Sequence, residues 1–144
     1  MPSAGTKEGG RANNMAPDVC CLPAPPPPGG PGGIPTPYPN LAMLTGAEKT
    51  TTKVFIRNKE TLVEGSFINS SKGDEPGCSN NVVPAKKGMA VAKNMAKLTF
   101  EKHSGKVKFE GKGVIFQGVP TKHNSGNTMG TFGAASQSTV IVAP

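Results

Sequence analysis

The segment from Pro17 to Asn40 restricts the fold more than any other part of this chain. Its sequence, PDVCCLPAPPPPGGPGGIPTPYPN, holds most of the 15 prolines, two adjacent cysteines and the only tyrosine. Because proline fixes φ and lacks a backbone N–H, such a segment can hardly form a helix or a central strand. It is expected to be a linker, a ligand for a proline-binding domain, or a rigid strap over a core. Apolar side chains alternate with prolines at its end (34–43), which favours a docked strap.

The composition favours a small β structure with many turns. The chain of 144 residues contains 19 glycines and 15 prolines, and only 5% of its residues are aromatic. This leaves little material for a large helical core, and the length is that of one domain. Residues 1–16 are small and polar, so we predict a flexible N-terminal arm there and a folded domain over 17–144.

An internal repeat predicts two equivalent β-hairpins. Residues 53–65 read KVFIRNKETLVEG and residues 106–118 read KVKFEGKGVIFQG, which align without gaps at an offset of 53 residues. Each has apolar β-formers on both sides of a polar turn, and the first turn is placed at Asn58-Lys59.

The second hairpin is expected to extend into a three-stranded meander, because apolar pairs at i and i+2 recur. Its predicted strands are Lys97–Glu101, Lys106–Glu110 and Val114–Gln117. Residues 124–137 are Gly/Ser/Ala-rich and are predicted to be loop, whereas 138–143 (STVIVA) is predicted to be a closing strand. Residues 87–97 carry a weak apolar stripe, so at most one short helix is expected there.

The net charge of +7 raises the question of nucleic-acid binding. The lysines are spread along the chain, and six Phe and one Tyr provide no aromatic stacking platform. We therefore expect no nucleic-acid partner and interpret the lysines as solubilising residues on exposed strands.

Cysteine usage and the start of the chain suggest where the protein resides. Three cysteines, two of them adjacent, do not form a secreted disulfide framework and favour a reducing compartment or a metal site. The first residues lack the apolar run of a signal peptide, and no apolar window is long enough to cross a membrane. Export would therefore need a secretion machine.

No motif for catalysis is present. The chain lacks a nucleophile elbow, a P-loop and a zinc-protease motif, and nothing places a base beside a cysteine. We predict that the protein is not an enzyme. The adjacent acids Asp74 and Glu75 lack the spacing of a Mg²⁺ or Ca²⁺ site and are interpreted as turn residues.

Several short motifs occur in order along the chain and resemble the PAAR-like family of contractile injection systems, such as type VI secretion. The motifs are Pro17–Cys20 (PDVC), Pro23–Pro25 (PAP), Ile34–Ala42 (IPTPYPNLA), Ser71–Gly77 (SKGDEPG), Val107–Lys112 (VKFEGK) and His123-Asn124. The resemblance implies a small conical, mainly β fold built from hairpins in a pseudo-threefold prism, with a proline-rich strap and at most one short helix. It implies a structural protein that caps and sharpens a VgrG-like trimeric spike.

The same resemblance implies partners and a location. The trimeric spike is the main partner, with an effector as cargo and transient contact with the target membrane. The protein would reside in the bacterial cytoplasm before firing and then outside the cell, at the tip of the injection particle. Two alternatives remain open: a module whose PPPP run docks an aromatic groove, and a small secreted toxin suggested by the charge.

Zinc is the cofactor that the resemblance implies, since tips of this family hold it near the apex through histidines and a cysteine. Cys20 and His123 match the family motifs, and we add His103 and Cys21 as further candidate ligands. Gln117 stands where the family often has another histidine. The alternative is that Cys20 is a small buried hydrophobe and that both histidines cap turns.

Overall fold

The structure, a computed structural model, describes residues 1–22, 34–75, 88–91, 93 and 95–144. The central run of prolines, Cys78 and part of the segment predicted to be helical lie outside the described residues. The fold is mainly β, as predicted, and its described helical elements are single 3-10 turns at Leu44–Gly46 and Asn124–Gly126. Among these residues no helix has the length and apolar character needed to span a bilayer.

The described residues form thirteen short strands. In chain order they are β1 Gly10–Asn14, β2 Asp18–Leu22, β3 Ile34–Tyr38, β4 Leu41–Met43, β5 Ala47–Glu48, β6 Phe55–Ile56, β7 Lys59–Glu60, β8 Phe67–Ile68, β9 Leu98–Phe100, β10 Lys108–Phe109, β11 Lys112–Gly113, β12 Pro120–His123 and β13 Thr128–Ala135. Seven of them form one antiparallel sheet in the order β4-β1-β13-β12-β9-β8-β5.

The seven-stranded sheet is nearly closed. Its two edge strands, β4 and β5, are consecutive in the chain and are separated only by the 3-10 turn Leu44–Gly46. Near-closure leaves little free edge, and the interior is filled by small and medium apolar side chains. Phe100 and Phe132 meet edge to face inside it, with ring centroids 6.3 Å apart. The fully buried core members are Ala12, Ala42, Leu44, Ala47, Leu62, Ile68, Leu98, Ile115 and Phe132.

The two hairpins predicted from the internal repeat are present, and they obey the offset of 53 residues. The β6–β7 hairpin turns at Arg57 and Asn58, and the β10–β11 hairpin turns at Glu110 and Gly111. All four turn residues have positive φ, between 52° and 78°, as a two-residue hairpin turn of the right twist requires. The turn is one residue earlier than the sequence suggested.

A third arm of the same kind is built from the two ends of the chain. Ser3 pairs with Ile141, and the Val142 N–H donates to the Pro2 carbonyl oxygen at 2.8 Å. The two ends of the chain thus pair in the same register as the two strands of the β6–β7 hairpin. The free ends of the chain lie where that hairpin has its turn. The three arms enclose a second apolar cluster, whose fully buried members are Ala4, Ile56, Val114 and Val142.

A closed cycle of backbone hydrogen bonds joins the three arms. The Gly5 N–H donates to the Ile115 carbonyl at 2.8 Å, Leu62 donates to Gly5 at 2.9 Å, and Ile115 donates to Leu62 at 3.0 Å. The residues that flank these three form isolated β-bridges in the same cyclic order. The bridges pair Ala4 with Phe116, Thr6 with Thr61, and Val63 with Val114. The cycle therefore marks an approximate threefold axis.

Each arm is also held by an equivalent hydrogen bond from the residue at its start. The Thr51 N–H donates to Thr61 at 3.0 Å and the Ser104 N–H donates to Val114 at 2.8 Å. In the third arm the Gln137 side-chain amide donates to Ala4 at 2.9 Å. The pseudosymmetry thus extends beyond the hairpins, although one of the three bonds uses a side chain in place of the backbone.

Two segments differ from their predicted structure because their pairing is non-local. Residues 1–16, predicted to be a flexible arm, supply the third arm and β1, which lies between β4 and β13. Residues 124–137, predicted to be loop, contain β13, the longest strand described. Their Gly, Ala and Ser residues carry no β signal, but small side chains let neighbouring backbones approach closely.

The predicted meander is wrong, whereas the expectation of at most one short helix is confirmed for the described residues. Strand β9 pairs with β8 and β12, so it does not form a meander with the β10–β11 hairpin. The described residues of 87–97 form no helix, and Gly88 instead bridges Cys20 of β2. In both cases backbone partners distant in sequence outweigh the local pattern.

The strap expected from the proline-rich sequence is an antiparallel ribbon of β2 and β3. Strands β1 and β12 run from the region of the hydrogen-bonded cycle towards Asn14 and His123, where the ribbon packs. The described residues therefore form two different ends: an arm end with approximate threefold symmetry, and a strap end in which these residues show no such symmetry.

Candidate metal centre

A cluster of polar side chains is buried at the strap end. It combines residues of β2, β12, the link between β3 and β4, the loop after β8 and the turn after β12, with exposed fractions of 0% to 1%. Its members are Asp18, Cys20, Asn40, Asp74, His123 and Asn124. Buried polar groups of this kind must find partners within the protein or bind a ligand.

Asp18 is surrounded by amide donors. Asn40 Nδ2 donates to Asp18 Oδ2 at 2.7 Å, Asn127 Nδ2 donates to Oδ1, and Asn124 Nδ2 lies 3.5 Å from Oδ1. These dipoles solvate the carboxylate, but they add no positive charge to the cluster.

Asp18, Cys20 and Asp74 form a triad of potential metal ligands, with one donor atom from each within 4.8 Å of the others. Cys20 Sγ lies 3.8 Å from Asp18 Oδ1 and 4.0 Å from Asp74 Oδ2. Asp74 Oδ2 accepts the Met95 N–H at 2.9 Å, whereas Oδ1 is buried without a hydrogen-bond partner among the described residues. Asp74 therefore faces Cys20 with Oδ2, and its other oxygen, Oδ1, has no hydrogen bond from the described residues.

The surroundings raise the pKa values of two members of the triad, Cys20 and Asp74. Burial, followed by the charges of Asp18 and Asp74, raises the pKa of the Cys20 thiol to about 12. Burial is also the main cause that raises the pKa of Asp74, with the Asp18 charge adding to it. Without a cation Cys20 is thus a protonated thiol and a poor nucleophile, whereas a bound divalent ion would favour the ionised forms.

His123 is neutral and has a partner at each ring nitrogen. The Asn40 side-chain NH₂ donates to Asp18, so its Oδ1 accepts from His123 Nδ1–H at 2.8 Å. His123 Nε2 is then left to accept from the Thr121 hydroxyl at 3.0 Å. Burial lowers the pKa of His123 to about 4, although the Asp18 charge opposes this shift.

The structure separates the four residues proposed from the sequence as zinc ligands. Cys20 lies in the triad, and His123 is connected to it through Asn40. Cys21 Sγ lies 3.5 Å from Met89 Sδ. His103 lies by the second hairpin, where its Nε2 is 3.5 Å from Glu64 Oε1 and its side chain is 40% exposed. The assignment of these four residues to one zinc site remains a prediction.

Two members of the triad were missed from the sequence. Asp18 lies two residues before Cys20, so both side chains point to the same face of β2, and this spacing was a usable signal. Asp74 lies 54 residues from Cys20 and was interpreted as a turn residue. Only the three-dimensional fold could bring it to the cluster.

Comparison with known proteins gives one curated relative and no solved structure. The chain is 37% identical over 116 residues to DNase toxin Tse7 of Pseudomonas aeruginosa (strain PAO1). The match covers 80% of this chain but only 28% of that protein. The chain thus corresponds to less than a third of the relative's length.

This relative contradicts the prediction that the protein is not an enzyme, because the relative is a DNase toxin. The exclusion of nucleic acid as a partner loses its support for the same reason. Both conclusions depended on the absence of familiar motifs and of an aromatic platform. Cation-assisted cleavage of a phosphodiester needs only a few acidic, basic or histidine side chains. These side chains need not lie in a short sequence motif that can be recognised.

The family assignment does not depend on that relative. A family model described as the Toxin PAAR-like domain matches residues 11–130, which include all but the first residue of β1, the strap ribbon, both hairpins and the buried cluster. The chain belongs to the Toxin PAAR-like domain family.

Proposed function

We propose that this protein caps the trimeric spike of a type VI-like contractile injection system and takes part in delivering a toxin. The closed cycle of hydrogen bonds through Gly5, Leu62 and Ile115 is the observation that carries the proposal. It gives a single chain three nearly equivalent arms. Such a chain can contact all three subunits of a trimer in similar ways, which an asymmetric monomer cannot do.

The arm end is the end that we assign to the spike. Equivalent positions on the outer faces of the three arms are occupied by Phe55, Lys108 and Ile141. Phe55 is 52% exposed and Ile141 is 55% exposed, which is unusual for large apolar side chains. The described residues of the strap end show no threefold symmetry, so this end would lead towards the target membrane.

The work of this end would be mechanical. The nearly closed sheet, the backbone cycle and the strap leave few free strand edges, and this favours a stiff tip. Zinc, the metal implied by the family resemblance, would stiffen the strap end further by joining segments distant in sequence. The protein would wait in the cytoplasm and leave the cell when the particle fires.

Docking can be tested with a purified trimeric spike and size-exclusion chromatography with light scattering. We expect a complex of one chain per spike trimer. Phe55→Asp and Ile141→Asp should abolish it, because a carboxylate on either arm would be buried against the spike end. Met129→Asp is the matched control, since Met129 is 50% exposed and its backbone bonds to Met15 near the strap end.

The docking proposal would be refuted if both arm variants bound as well as the wild type, or if Met129→Asp alone lost binding. A stoichiometry of three chains per spike trimer would also contradict it, because the three arms of one chain would then not be shared among three subunits.

A second candidate function is cleavage of DNA, which the relatedness to DNase toxin Tse7 supports. The net charge of +7 is compatible with a polyanionic substrate. Incubation of the protein with supercoiled plasmid and Mg²⁺, Mn²⁺ or Zn²⁺ tests it. Nicking that is abolished by a chelator would place nuclease activity within these 144 residues. A plasmid that stays intact with every metal would argue against nuclease activity in this chain, and only the delivery role would remain.

A further inference from the structure

The triad of Asp18, Cys20 and Asp74 has an imbalance of charge. Two carboxyl groups and a thiol lie together with exposed fractions of zero. None of the ion pairs formed by the described residues includes Asp18 or Asp74. Burying two acids without a cation is costly, and protonating them removes the charge but still leaves polar atoms to be satisfied.

Hydrogen bonds compensate only part of this cost. Asp18 accepts from asparagine amides, and Asp74 Oδ2 accepts from the Met95 N–H. Asp74 Oδ1 has no such partner among the described residues. The Asp74 carboxyl group is thus only partly satisfied by the described residues, and one of its oxygens lies within 4.8 Å of a thiol and of a second carboxyl group. In such an arrangement a metal ion can replace the missing donors.

We propose that Asp18, Cys20 and Asp74 bind one divalent transition-metal ion, with Zn²⁺ as the preferred ion. In a tetrahedral site with Zn–S of about 2.3 Å and Zn–O of about 2.0 Å, sulfur and oxygen ligands lie about 3.5 Å apart. The observed separations of 3.8 Å and 4.0 Å require only a small contraction. The thiolate selects against Mg²⁺ and Ca²⁺, which prefer all-oxygen sites.

This ligand set differs from the histidine-rich set that the family resemblance implied. His103 lies by the second hairpin, and both ring nitrogens of His123 are engaged by Asn40 and Thr121. His123 therefore acts as a positioning residue: it holds Asn40, which in turn orients Asp18. Carboxylate ligands are commonly held by such an outer layer of hydrogen bonds.

Metal binding would join two segments that are far apart in the sequence. Asp18 and Cys20 belong to the strap strand β2, and Asp74 belongs to the loop whose Lys72 bridges Leu41 of β4. A metal between them would fasten the strap to the sheet, so binding should be coupled to the stability of the strap end. The inference does not depend on the spike-capping role.

The test uses the full 144-residue chain, stripped with a chelator and reloaded with Zn²⁺ or with Co²⁺ as a spectroscopic probe. We expect one equivalent of metal, a sulfur-to-cobalt charge-transfer band, and a melting temperature that rises with Zn²⁺ but not with Mg²⁺. Cys20→Ser should lose the band, and Asp74→Asn should lose stoichiometric binding. His123→Gln should weaken affinity by about 10- to 100-fold and keep the band, as outer-layer residues do.

Matched controls are His103→Gln and Cys21→Ser, which should bind like the wild type. Circular dichroism reports whether each variant folds, and the wild-type response to Zn²⁺ tests the proposal even if Cys20→Ser does not fold. Failure of the stripped wild type to take up any metal would overturn it. Equal binding by Cys20→Ser, or loss of binding in His103→Gln, would overturn it as well.

Discussion

At the scale of single residues, the buried cluster is organised by Asn40. Its side chain donates to Asp18 and accepts from His123, and its backbone N–H donates to Asn14 Oδ1 at 2.9 Å. Cys20 and His123 could be singled out from the sequence because they lie in recognisable motifs. The partners that define their chemistry could not, because an asparagine or aspartate in a loop looks the same whether it caps a turn or solvates a buried acid.

The neutral state of His123 predicts a loss of stability in acid. Its pKa is about 4 when folded and 6.5 for an ordinary histidine, so the unfolded chain binds the extra proton between these values. The stabilisation is complete above pH 6.5 and is lost as the pH falls towards 4, by about 3 kcal/mol. Urea unfolding at several pH values, with His123→Gln as reference, measures it.

The difference in the free energy of unfolding between wild type and His123→Gln should shrink across that pH range, and contributions from Asp74 cancel in the comparison. A difference that stays constant from pH 7 to pH 4 would show that His123 is not held neutral.

At the scale of elements, strands whose signal is local were predictable and strands whose partners are distant were not. The two hairpins could be placed by their repeat, because apolar β-formers flank short turns. The sequence of β13 predicts a loop, since its Gly and Ala residues suggest flexibility. In the structure these small residues let β13 lie close against both β1 and β12.

Gly130 of β13 shows how close this packing is. A Cβ there would collide with the Asn13 carbonyl oxygen and would lie 2.7 Å from both Asn14 Cα and His123 Nε2. We expect Gly130→Ala to destabilise the fold by about 1 to 3 kcal/mol, because backbone atoms cannot yield as a flexible side chain can. Thermal unfolding checks this.

Gly133→Ala is the control in the same strand. Its Cβ would meet the Asn13 amide nitrogen at 3.1 Å, and this flexible side chain can move aside. Equal melting temperatures for the two variants would contradict the close approach inferred at Gly130.

At the scale of the whole molecule, approximate threefold symmetry is the dominant feature. Two of its three units were visible as a sequence repeat. The third could not be found that way, because it is divided between the beginning and the end of the chain and one of its hydrogen bonds uses the side chain of Gln137. A search for repeats compares continuous segments, whereas the backbone cycle depends only on positions in space.

The approximate threefold symmetry predicts that the chain tolerates circular permutation, with its N- and C-termini moved to another arm. Joining Val142 to Pro2 by Asn-Gly, with new ends opened between Arg57 and Asn58, should give a chain that folds cooperatively and melts within a few degrees of the original. The reason is that the third arm already has the register of a closed hairpin. Circular dichroism and thermal unfolding provide the measurement. Loss of a cooperative transition would show that the arms are not interchangeable.

The pairing of the two ends in one arm also sets the route of any attached polypeptide. Because Pro2 and Val142 are hydrogen-bonded neighbours, a segment fused before the first residue and a segment fused after the last would leave the body at the same corner. Both would emerge on the arm side and away from the strap. If the arm end docks on the spike as proposed, a passenger of either kind would lie beside the spike, and the strap end would stay uncovered.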